Sequence, residues 1–113
     1  MKKIVAVMAI LASGCTTTIR EMREHSVRAS YVSPRSEGAL EHCLAGNLSW
    51  VSNPAIIHGE SSTELSFGSG GSIALLVTLA PTDGGTKVEV RELLAYGARI
   101  RHNVEACVSG KDV

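Results

Sequence analysis

A chain of 113 residues with eleven basic and eleven acidic side chains carries no net charge, so no strong field exists to hold nucleic acid or anionic lipid. The length suits one small domain rather than two. A domain of that size buries a smaller share of its surface than a larger one, so a covalent staple would help it.

Met1-Lys2-Lys3 is positively charged and Ile4 to Ala12 is an uncharged run of nine residues, which is the shape of a secretory signal. A membrane-crossing helix needs about 20 apolar residues, so this run is too short to remain as a span. Ala12, Ser13 and Gly14 are small, as a signal peptidase requires, and Cys15 follows them directly. Leu11-Ala12-Ser13-Gly14-Cys15 resembles the lipobox of bacterial lipoproteins, a Leu and small residues ending in Cys. Leu11 stands four residues before Cys15, and Ala12 holds the position three before, where that family most often has Leu.

The resemblance implies cleavage between Gly14 and Cys15, a diacylglycerol on the Cys15 sulfur, and acylation of the new amino group with palmitate or a similar chain. One acyl chain binds a bilayer marginally and two or three hold it firmly, so the membrane itself becomes a partner. Thr16 stands where inner-membrane lipoproteins typically carry Asp, which implies the outer membrane and a domain facing the periplasm. The competing reading is an ordinary signal peptide cut near Ala12-Ser13-Gly14, with Cys15 incidental.

Removal of residues 1–14 leaves 99 residues with nine basic and eleven acidic side chains. With Cys15 assigned to lipid, Cys43 and Cys107 form an even pair in an oxidising compartment, which is most simply a disulfide. Two buried free thiols are the alternative. No cysteine spacing fits a zinc site.

From Thr16 to about Ser30 charges of both signs alternate with scattered apolar residues, so residues 15–32 read as the lipid-bearing Cys and a flexible tether. Val27, Ala29 and Tyr31 alternate and would suit an added edge strand. Residues 33–113 then form the domain. Ser33-Pro34-Arg35-Ser36-Glu37 reads as a helix entrance, and Leu40, Cys43, Leu44 and Leu48 recur at helical spacing up to a stop at Gly46-Asn47.

Asn53-Pro54 opens a short strand with Ile56 and Ile57. Thr63, Leu65 and Phe67 alternate with Glu64 and Ser66, and Ser72 to Ala80 is apolar enough to be a central strand. Pro81-Thr82-Asp83-Gly84-Gly85 is a tight reversal into Val88 and Val90. Leu93, Tyr96, Ile100, Val104 and Cys107 keep helical steps. Gly97 disfavours a helix interior by about 1 kcal/mol, which suggests that the regular helix begins there, and Gly110 suits its end. The expected fold is an α+β two-layer sandwich: a four-stranded antiparallel meander with an N-terminal and a C-terminal helix on one face.

Ser33 to Leu44 and Gly84 to Arg91 are similar to segments of small proteobacterial lipoproteins without an assigned activity. The later segment is also similar to hairpins of the helix-grip fold, which holds apolar ligands. Gly68-Ser69-Gly70-Gly71-Ser72 leads into a strand and lacks a following Lys, so it reads as a hairpin turn rather than a phosphate cradle. His25, His42, His58 and His102 show no metal-binding spacing, and no Ser lies in a nucleophile elbow. Arg99, Arg101 and His102 read as a solvated helix face with Glu105 paired to Arg101. Trp50 reads as a cap on the edge of the core.

These features imply no cofactor, no metal and no catalytic residue. They lead to the expectation of a membrane-anchored, non-catalytic interaction domain with an envelope protein as partner and an open oligomeric state. The alternative is a module holding a small apolar ligand between helices and sheet.

Overall fold

The computed structural model describes residues 17–69, 72–92 and 97–110. Along them run α1 (Ile19–Glu24), β1 (Ala29–Ser33), α2 (Glu37–Asn47), β2 (Ala55–His58), β3 (Thr63–Ser69), β4 (Ser72–Thr82), β5 (Gly85–Glu92) and α3 (Ala98–Ser109). The sequence positions Gly14, Cys15, Gly70, Gly71, Leu93 and Tyr96 lie outside the described residues.

The fold is α+β, built on one antiparallel sheet of order β1-β5-β4-β3-β2. The most apolar strand, β4, takes the middle because a strand covered on both faces has no need of polar alternation. Leu75, Val77 and Leu79 point to one face and Leu76 to the other, and all four are sealed from solvent. Thr82 pairs with Gly85 across a two-residue turn, where Gly84 takes a φ of 87° that side-chain-bearing residues rarely adopt.

The sheet has five strands, not the four expected. The fifth is β1, which pairs with β5 over Ala29↔Val90 to Ser33↔Thr86. The alternation of Ala29 and Tyr31 is therefore a true strand pattern, with both residues packed on the core beneath the helices. Gly85 permits the join: a Cβ there would collide with the Ser33 carbonyl.

Helices α2 and α3 cover one face. Leu40, Leu44 and Leu48 meet Ile100, Val104 and Cys107 over Leu65, Phe67, Val77, Val88 and Val90. At about 25 cal/mol per Å² of apolar surface removed from water, this layer supplies most of the folding drive. The N-cap of α2 is Ser36, whose Oγ accepts from Ala39 N at 3.2 Å. Ser33, expected at the helix entrance, instead ends β1, and Pro34 separates the two elements. Helix α3 begins after Gly97 and stops at Gly110, whose φ of 79° turns the chain out of the helix.

The stretch expected as a tether is folded from Thr17 onward. Thr18 caps α1, which lies on the face of the sheet opposite α2 and α3 and buries Met22 completely. Arg23 donates from Nε to Glu64 Oε2 at 2.8 Å and from Nη2 to Oε1, and Glu64 points away from the main core. Arg91 Nε reaches the His25 carbonyl at 3.0 Å, and Arg28 N reaches Val90 O at 2.7 Å. One charged side chain of this segment, Arg23, thus pairs to the second face of the sheet. The folded unit extends well before residue 33, and the sheet carries helices on both faces.

Candidate functional site

Cys43 and Cys107, 64 positions apart in the sequence, form a disulfide between α2 and α3 with Cα atoms 5.7 Å apart. Cys107 is fully buried and Cys43 half-buried. Around the bridge the end of α3 is tied down. Ser33 Oγ donates to Val108 O at 2.7 Å, a carbonyl with no donor within the helix, and Arg35 Nη1 donates at 2.9 Å to Cys107 O, which also accepts from Gly110 N at 3.2 Å. Arg35 O in turn accepts from Thr86 Oγ1 at 2.8 Å. These contacts bind β1, β5 and α3 into one block, so the cysteines serve the scaffold.

Tyr31 extends that block. Its hydroxyl donates to Glu105 Oε2 at 3.2 Å, and burial together with the Glu105 carboxylate raises its pKa above the ordinary value. Glu105, expected to pair with Arg101, accepts instead from β1. At the other end of α3, the Arg99 guanidinium stacks 3.9 Å from the Trp50 ring centroid, and Trp50 Nε1 donates to Asn103 Oδ1 at 2.9 Å. Trp50 therefore clamps the end of α2 to the start of α3, with 37% of its surface exposed.

The four histidines stay apart. His25 follows α1, His42 and His102 are exposed on helices, and His58 Nε2 meets Glu41 Oε1 at 2.5 Å. Among the described residues no three His, Cys, Asp or Glu side chains converge. The Gly68–Ser72 stretch joins β3 to β4, with Ser69 paired to Ser72 and a register shift between Phe67 and Gly68. Gly68 is required there, since a Cβ would strike the Ser72 carbonyl.

The surface best suited to a partner is the β2 edge. Every residue of Ala55–His58 is exposed, and among the described residues β2 pairs on one side only. Ile56 and Ile57 are 38% and 43% exposed. A strand edge presents a row of backbone donors and acceptors that an added strand can satisfy, with alternate side chains supplying selectivity. The sequence marked a strand here, but adjacent isoleucines face opposite sides of a sheet, and only the place of β2 in the sheet leaves both of them exposed.

Hollows in the surface are lined largely by polar residues; one of about 440 Å³ lies along Glu21, Glu24, His25 and Ser26. One of about 140 Å³ is lined by Arg28, Ala29, Glu92, Gly97 and Arg101, and one of about 220 Å³ lies near Asn53, Ser66, Ser72 and Ile73. Among the described residues no helix is long and apolar enough to cross a membrane. Comparison of the chain with protein-family models, curated proteins and solved structures finds no match.

Proposed function

We propose that the protein is a lipoprotein of the outer membrane, facing the periplasm, whose small domain is a non-catalytic interaction module that receives a strand of an envelope protein along β2. The observation that supports this reading is the exposed, one-sided β2 edge with isoleucines on both faces. The lipid anchor rests on the Leu11-to-Cys15 stretch and its lipobox resemblance, with cleavage between Gly14 and Cys15.

A photo-crosslinking residue placed at Ile56 should give an adduct with one envelope protein in intact cells, and Ile57→Lys in the same chain should remove it. The same probe at Val32, which is 67% exposed on the opposite edge, should give none. Equal adducts at both edges would defeat the assignment to β2. The anchor is tested separately: Cys15→Ser should abolish palmitate labelling and release the protein from the membrane fraction.

A further inference from the structure

We infer that the domain is seated directly on the bilayer surface, with the β3–β4 end of the sheet against the lipid headgroups. This rests on the proposed lipidation of Cys15. Thr17 is already part of the fold: its carbonyl accepts from Ile73 N at 2.8 Å, and its N–H donates to Ser72 Oγ at 3.3 Å. Behind it, Met22 is fully buried and Arg23 is bound to Glu64. The segment at Thr17 is thus pinned to the first residues of β4 and cannot swing free without breaking these contacts.

Only Thr16 separates Thr17 from Cys15. Two Cα steps span at most about 7.6 Å, whereas the headgroup zone on each side of a bilayer is about 5–7 Å deep. A lipid on Cys15 therefore holds Ser72 and Ile73 at the headgroups, with no length of chain to stand the domain off. The neighbourhood suits that position. Arg20 is exposed at the start of α1. Trp50 and the exposed Arg99 lie where α3 begins, close to the ends of β3 and β5, because Ser52 Oγ accepts from Gly68 N at 3.0 Å. Guanidinium groups match anionic headgroups, and an indole suits the boundary between water and lipid.

The far end of the domain is set by the length of β4. From Ser72 to Thr82 the strand carries Asp83 and the β4–β5 turn about 33 Å from the surface at the usual rise per residue. The β2 edge then faces sideways, open to a partner lying along the membrane.

The test uses the full lipidated protein in vesicles of phosphatidylethanolamine and phosphatidylglycerol that carry a headgroup-attached quencher. A fluorophore is placed through Ser69→Cys in one sample and Asp83→Cys in another; both positions are exposed. Quenching should be several-fold stronger at position 69. A Gly-Ser spacer of about 20 residues between Thr16 and Thr17, reaching about 25 Å, should erase the difference. Equal quenching at both positions in protein that floats with the vesicles would overturn the seat while leaving the anchor intact. Protein that takes no palmitate and does not float would overturn the anchor reading and the seat with it.

Discussion

The two edges of the sheet are built on different principles. At β1 five residues pair with β5, Tyr31 reaches Glu105, and Ser33 and Arg35 bind the last carbonyls of α3, so the edge is fastened to the stapled helix layer. At β2 four residues pair with β3, and the main tie to the helices is His58 with Glu41 on the surface. An edge fastened in this way adds to stability. An edge left short, exposed and apolar contributes little to the fold and is retained at some risk of aggregation unless a partner covers it.

Four changes would break or sharpen this contrast. The largest effect is expected from Cys43→Ser with Cys107→Ser, which should lower unfolding free energy by about 4 kcal/mol in denaturant titrations, without altering crosslinking through β2. Next, Gly85→Ala should cost about 2 kcal/mol, because a methyl group is forced against the Ser33 backbone where β1 joins the sheet. A loss below a few tenths would show that β1 can shift freely and is not fastened.

Third, Tyr31→Phe should cost about 1 kcal/mol at neutral pH. The Tyr31 pKa is raised in the folded state, so its contribution is complete below the ordinary value of about 10 and is lost as pH rises through the folded value. The parent protein should therefore lose more stability than Tyr31→Phe between neutral and strongly alkaline pH, and parallel pH profiles would refute the role. The smallest thermal effect is expected from Ile57→Lys, within about 0.5 kcal/mol of the parent, although it should remove the β2 adduct. A large loss of stability from that change would show that β2 belongs to the scaffold.

Much of the scaffold was legible in short-range pattern. The spacing of Leu40, Leu44 and Leu48, and of Ile100, Val104 and Cys107, matches the buried faces of α2 and α3. The hairpin of β4 and β5 follows from apolar alternation around Asp83-Gly84. Helix α1 was not legible, because six residues with one buried Met carry no repeating face, and its charged residues look like those of a tether until Arg23 meets Glu64, 41 positions away. The candidate site was half legible: Ile56 and Ile57 marked a strand, while nothing local showed that it would form an edge.

By itself the sequence determined the two packed helices, the central strand and the glycine turn, because periodicity and turn chemistry are properties of neighbouring residues. The tertiary structure alone decided that the stretch from Thr17 is folded, that the edge strand suggested by Ala29 and Tyr31 joins β5, and that β2 leaves the other edge open. Those outcomes depend on pairings between distant residues, Ala29 with Val90 and Thr17 with Ile73, whose partners become neighbours only once the chain has folded.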